Sequence, residues 1–241
     1  MSLGSIVASN ISLDACYGDA ASSVWPSTLW LHLFVSDPTA GGAELTSAGG
    51  YAPISIANNS TNWPDASGGQ KTNGALFAYP ASTGPWSGPA DFWWLSDAPA
   101  ALPAPGAPTV TGVGAAGVTP WYYKITTLGG DGESTGSGTG VNVTGNATLS
   151  GSNYNQIGWS AVAGASGYNV YRSTDNVNFY LIDSPGTNAY SDTGASAGTQ
   201  TPPVSNTTMA LLDGGALQTP VIVPAEGYVV GFPPGAIVIA D

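Results

Sequence analysis

The stretch "FWWLSDAPAALPAPGAPTVTG", Phe92–Gly112, decides how this chain is divided. It opens as an aromatic strand, since Trp and Phe suit a pleated, half-buried surface. It then runs into Pro, Ala and Gly. Proline lacks an amide to donate and fixes φ, so the strand stops there and a linker begins. Nothing resumes the opening pattern for about a hundred residues, until "MALLDGGALQTPVIV" from Met209. A second Pro-containing stretch, "GTQTPPVSN" at Gly198–Asn206, closes the interval. The pattern predicts a discontinuous outer domain over 1–102 and 204–241. A self-contained domain is expected within it, over 103–203.

The outer segments read as all-β, with short apolar runs broken by turn residues. In "STLWLHLFVSDP" (Ser27–Pro38), Leu29, Leu31, Leu33 and Val35 point one way and Trp30, His32 and Phe34 the other. Both sets are largely apolar, which predicts a central strand covered on both faces. Further strands are expected around Ile54 and Ile56, in "TNGALFAYPAS" and in "DFWWLSDA". Three more are expected at Val221–Val223, Tyr228–Phe232 and Ala236–Ala240. Leu29, Leu31, Leu33, Val35, Trp93, Ile222 and Ile237 are the expected core. A short helix within "SNISLDACYGDAASS" is the one helical candidate.

Composition narrows the function classes. The chain has 241 residues, 42% hydrophobic with 8 Trp, enough apolar surface for real cores. Only 7% of residues are charged: 15 acidic residues face three cations, Lys71, Lys124 and Arg172, for a net charge of -12. Phosphate contacts need clustered Lys or Arg, so nucleic acid and anionic membrane are poor partners. No stretch has the roughly 20 apolar residues of a membrane span. The first ten residues lack the basic and apolar regions of a secretory signal, which predicts synthesis in a cytoplasm. The single Cys16 reads as a small hydrophobe rather than a nucleophile.

The inner segment carries "GWSAVAGASGYNVYRSTD", "YYKITTLGGDGES" and "YSDTG". With Trp159, the turn at 163–167, Tyr168, Val170 and Tyr171, these motifs resemble fibronectin type III and related Ig-like sandwiches. The resemblance implies a core built on Trp159, Tyr168 and Val170. The usual strand order is altered, because the "YYKITTL…DGES" element, normally the closing one, precedes the Trp strand. The outer motifs are "LWLHLFVSDPTAGGAEL", "GGYAPISI", "TNGALFAYP", "DFWWLSDA" and "MALLDGGALQTPVIVPAEGYVVGFPPGAIVIAD". In this order they resemble small tail-fibre or minor-tail proteins of tailed bacteriophages. Pro53 stands where that family often has Arg, so no role of that Arg carries over. The resemblance implies a virion structural protein without cofactor, on a tail fibre or as a capsid decoration. It implies other virion proteins as partners, a homotrimer as first choice, and a place on the virion surface.

Chemistry finds little purchase. His32, the only His, sits among apolar neighbours and reads as packed, with no nucleophile in view. One His and one Cys cannot make a zinc site. Asp91 and Asp97 flank Trp93 and Trp94, the one carboxylate pair a glycosidase could use, but strand-end Asp is ordinary turn chemistry. Asp131, Glu133, Asp175 and Asp183 supply oxygens without calcium-loop spacing. Trp25, Trp63, Trp86 and Trp121 lie beside Pro or Gly and are candidates for stacking on glycan rings. The leading expectation is a non-enzymatic virion protein whose outer domain docks and oligomerises while the sandwich projects as spacer or adhesin. A carbohydrate-binding module of a secreted or surface protein is the first alternative, and a glycosidase the second.

Overall fold

The structure, a computed structural model, describes residues 3–18, 25–129 and 132–240. It is all-β apart from one helix, α1 (Leu3–Cys16), and two single-turn 3-10 helices. The chain forms two compact units, one from residues 1–99 and 211–241, the other from 100–210.

In the first unit β1 (Thr28–Phe34), β2 (Ile54–Ala57), β3 (Gln70–Thr72), β4 (Phe77–Ala78) and β5 (Ala90–Ser96) precede the interval. In the second unit lie β6 (Thr109–Val113), β7 (Thr119–Gly129), β8 (Gly132–Glu133), β9 (Gly140–Gly145), β10 (Tyr154–Gly158), β11 (Gly167–Ser173), β12 (Tyr180–Asp183) and β13 (Ala189–Asp192). The first unit resumes with β14 (Leu211–Val221), β15 (Gly231–Phe232) and β16 (Val238–Ala240).

The main sheet of the first unit runs β14-β5-β1-β2, all antiparallel, with β15-β4 and β16-β3 as small accessory pairs. Its register explains the two-sided apolar pattern of β1. Leu31 faces Leu95 and Ile54, and Leu33 faces Trp93. Leu29, Leu31 and Leu33 are fully buried, with Trp93 and Ile237 in the same core and Val35 partly buried against it. The opposite face pairs His32 with Trp94 and Phe34 with Phe92. Two aromatic groups complete the core, Tyr51–Tyr79–Trp86 and Tyr17–Trp63–Phe77, with ring centres 5.3–5.8 Å apart.

Ile222 corrects the expected core: it is 65% exposed. In "VIV" the alternation turns Val221 and Val223 inward, which sends Ile222 out. Of the strand expected at Val221–Val223, only Val221 is in a strand, as the last residue of the eleven-residue β14. The helix starts six residues before the expected segment and ends at Cys16; the expected part at 19–23 lies outside the described residues.

In the second unit one sheet runs β13-β10-β6. The other runs β12-β11-β7-β8, with β9 also on β7. Their shared core holds Tyr123, Ile125, Ile157, Trp159, Tyr168 and Val170, with Trp159 edge-on to Tyr168 at 5.3 Å. The Tyr168 hydroxyl accepts the Val162 amide at 2.8 Å, which fixes the turn between the Trp and Tyr strands. The stretches expected to be free linkers are instead held on this unit. Thr127 Oγ1 donates to the Pro103 carbonyl at 2.8 Å, and the Leu181 amide to the Gln200 carbonyl at 2.9 Å.

Helix α1 is pinned to the first unit by polar contacts beneath an apolar face. Leu13 and Tyr17 enter the core. Asp14 Oδ1 accepts Lys71 Nζ at 2.7 Å and the Ala66 amide at 2.7 Å. Lys71 is only 1% exposed and Asp14 39%. Burial raises the Asp14 pKa, but the bonds from Lys71 and Ala66 outweigh it and hold the group below its ordinary 3.8. Asp14→Ala strands a buried ammonium, so we expect a loss of about 3 kcal/mol, the low end for a broken buried pair because Asp14 is part-exposed. Lys71→Met removes the charge and keeps the stem, and should cost about 1 kcal/mol or less. The depressed pKa means that the pair's contribution is present above 3.8 and fades as pH falls below it. Urea unfolding of both variants at pH 7 and pH 3 checks the order and the sign.

Candidate functional site

The fold gathers three polar or aromatic constellations. The first is a relay on the second face of the main sheet. His32 is fully buried; its Nδ1 lies 2.8 Å from Glu44 Oε1 and its Nε2 2.7 Å from Ser96 Oγ. The Tyr51 hydroxyl donates to Glu44 Oε1 at 2.9 Å and accepts the Leu33 amide at 2.8 Å. This corrects one expectation, for a hydroxyl does stand within reach of the only His. The order Ser–His–Glu has the connectivity of a nucleophilic triad. Ser96 is nonetheless fully buried, and its hydroxyl also lies 2.7 Å from the Ala98 carbonyl as donor. No substrate reaches that oxygen, so the relay acts as a clamp between β1, the 36–45 loop and the end of β5. Sequence could not reveal it, because Ser96 lies 64 residues from His32 and only the β1–β5 register joins them.

Around this relay the second face is aromatic. Trp30, Phe92 and Trp94 are half-buried and Phe34 is buried, yet none joins the main core. A side chain at Gly214 would strike the Trp94 ring, so glycine there lets the indole lie against β14.

The second constellation crosses the 100–210 unit from sheet to sheet. Asn142 Nδ2 donates to Asn155 Oδ1 at 2.7 Å, Asn155 Nδ2 to the Tyr123 hydroxyl at 2.8 Å, and that hydroxyl to Asp192 Oδ2 at 2.8 Å. Asp192 is fully buried. Arg172 spans both its oxygens at 2.8–2.9 Å, and its Oδ1 also takes the Gly194 and Ala195 amides. This explains "YSDTG": Asp192 caps its own turn and neutralises the guanidinium. Burial, then the Asp192 charge, pushes the Tyr123 pKa well up, so its hydroxyl stays protonated as the donor.

The third is a groove on the same unit. It is lined by Trp121, Arg172, Asp175, Asn178 and Tyr180, with a volume of about 290 Å³.

The tryptophans expected to meet glycans separate. Trp63 is 0% and Trp86 7% exposed, each within an aromatic core group, so neither offers a face; both expectations are corrected. A Trp beside Pro here pins a loop by burying itself. Trp25 packs against the core 5.1 Å from Tyr17. Trp121 alone lines a groove, with the Arg172 guanidinium 5.1 Å over its ring.

The carboxylates also disperse. Asp91 and Asp97 are six positions apart along β5 and its end, about 20 Å at ~3.3 Å per residue. A glycosidase pair needs about 5–10 Å. Asp131 lies outside the described residues. Glu133 accepts the Tyr171 hydroxyl at 2.6 Å. Asp175 holds its own turn through the Val177 and Asn178 amides, and Asp183 accepts the Ser184 amide at 2.8 Å. Among the described residues no three His, Cys, Asp or Glu side chains gather as a metal site requires, and no helix is long and apolar enough to cross a membrane.

Residues 5–101 match the protein family described as podophage GP4 fiber I protein gp80. The match spans 97 residues, about two fifths of the chain; it takes in β1–β5 and stops where the 100–210 unit starts. No curated protein matches the chain. This part of the molecule is thus similar to a phage fibre protein.

Asp192 provides the sharpest test of the second constellation. Asp192→Ala leaves Arg172 and Tyr123 without their buried acceptor and should cost about 3–5 kcal/mol. Hydrogen exchange of the full chain should show amide protection falling across β7, β10, β11 and β13 while β1 and β5 keep theirs.

Proposed function

We propose that this chain is a non-enzymatic structural protein of a tailed-phage virion, exposed on the particle surface. The observation that carries the reading is the match of residues 5–101 to a podophage fibre family. In this reading the unit from 1–99 and 211–241 docks on the particle and oligomerises, a trimer being what the tail-fibre resemblance implies. The 100–210 unit is the inserted fibronectin type III-like module and projects as spacer or adhesin. Its strand pairings support that assignment. A β13-β10-β6 sheet packs on a β12-β11-β7-β9 sheet over Trp159, with the β7–β9 pair shifted ahead of the Trp strand.

Charge supports an apolar docking contact. The first unit has ten acidic residues, and its one Lys or Arg, Lys71, is buried. Two copies therefore have no exposed Lys or Arg to offer each other's carboxylates. Exposed Leu76, Ile222, Tyr228 and Val229 supply apolar surface instead.

Phage particles from a lysate that expresses the gene provide the test. The chain should band with intact particles in a density gradient and stay bound in 1 M NaCl, where the ~3 Å screening length dissolves ionic contacts. Recovery of the chain only in the soluble fraction, or its release by salt, contradicts the assignment or the apolar contact respectively.

A further inference from the structure

Two strand edges of the first unit border one gap. β2 ends the main sheet, and β4 pairs with β15 alone. Between β2 and β4 lies a depression of about 240 Å³. Ile54–Ala57 form one bank and residues 76–78 the other, with Asn62 also lining it. β15 does not line it, so β4 turns its other side to the gap.

The ladder geometry identifies the backbone groups left over. In an antiparallel pair, successive residues aim their N–H and C=O to opposite sides. The Asn58 amide donates to the Ser27 carbonyl at 2.9 Å, toward β1. Ile54 and Ile56 therefore also serve β1, and Ser55 and Ala57 turn away from it. The Ala57 carbonyl agrees, because it accepts the Asn59 amide at 3.0 Å and Asn62 Nδ2 at 2.9 Å. On the other bank the Tyr79 amide donates to the Val230 carbonyl at 2.8 Å. Tyr79 and Phe77 thus serve β15, and Leu76 and Ala78 turn to the gap. Ser55 and Ala78 are exposed, and Leu76 is 62% exposed. Among the described residues no strand enters the gap.

We propose that this gap is a docking slot for an extended segment of another virion protein. The segment pairs with β2 and β4 at once and joins the β14-β5-β1-β2 sheet to the β4-β15 pair. Strand addition draws affinity from main-chain bonds and specificity from alternate side chains. The lining carries no charge, so the segment is uncharged where it lies over Leu76 and Ala78. The surrounding unit has ten acidic residues, and its one Lys or Arg, Lys71, is buried. That field favours a segment flanked by Lys or Arg. It disfavours a second copy, whose first unit is equally acidic. The source of the segment rests on the virion reading above. Capture of a strand does not, so the free chain tests it apart from attachment to particles.

The probe is the peptide acetyl-KKTVTVTVKK-amide, titrated calorimetrically into the full chain. It should bind, and hydrogen exchange should slow at the Ser55 and Ala78 amides. The same peptide N-methylated at its valines lacks the donors of one edge and should bind about tenfold more weakly or worse. A version with Glu in place of Lys should bind more weakly at low salt. Leu76→Ser trims an exposed side chain. Ser55→Pro removes an amide that faces away from β1, where an edge strand accepts proline. Both variants should fold, and each should weaken the peptide about tenfold. Absence of binding, or unchanged exchange at Ser55 and Ala78, overturns the proposal. Equal binding of the N-methylated peptide marks apolar adhesion rather than strand pairing and overturns it too. So does equal binding of the Glu-flanked peptide at low salt, or wild-type affinity in both variants.

Discussion

The Leu102 amide donates to Thr208 Oγ1 at 2.7 Å, and Asn206 Nδ2 donates to the Leu102 carbonyl at 2.7 Å. This clasp ties the two ends of the 100–210 unit side by side. Without it, β5 and β14 would be neighbours joined by a loop of more than a hundred residues, with Ser96 facing Leu211. Loop closure costs only ~0.6 kcal/mol per doubling of length when the loop is slack. We propose that the 100–210 unit, with its ends already held together, removes even that cost and serves the first unit as a short turn. Close packing supports the clasp: a side chain at Gly132 would strike the Thr207 carbonyl, so only glycine lets the returning chain approach the β7–β8 hairpin.

Each unit then rests on its own core, and the two cores are secured differently. The main cluster of the first is aromatic and aliphatic, with the His32 relay on the second face of the sheet and a buried lysine paired where α1 joins. The second places a charged group at its centre. Asp192, on β13, has no exposure, and it takes Arg172 and the Tyr123 hydroxyl from the facing sheet, so its pairing joins the two sheets. Buried ion pairs of this kind add little net stability but are costly to break. They suit a module that must hold one shape while it carries few other charges.

Much of this was legible in the chain. The alternation of Leu29, Leu31 and Leu33 against Trp30, His32 and Phe34 marked a central strand, and β1 lies between β2 and β5. The all-β class followed from turn residues and scarce helix formers. What stayed hidden depended on distant register. Ser96 meets His32 only through the β1–β5 ladder, and Asn142 meets Asn155 only once β9 and β10 fold together. Local signals misled where packing overrode them. Trp63 and Trp86 looked like loop residues beside Pro yet are core, and Ile222 looked like core yet turns outward just past the end of β14. Helix α1 began early because "LGSIVASN" has no charge pattern to announce it, and its hold on Lys71 through Asp14 is tertiary.

The central claim is that the 100–210 unit is an insertion that the surrounding unit tolerates as a turn. Replacing 100–210 with a short Gly/Ser connection between Pro99 and Leu211 tests it most directly, by calorimetric melting of the product. The account predicts a soluble protein with one cooperative transition and an intact β5–β14 pairing. A product that melts without cooperativity, or that loses protection of β1 and β5 amides, contradicts it.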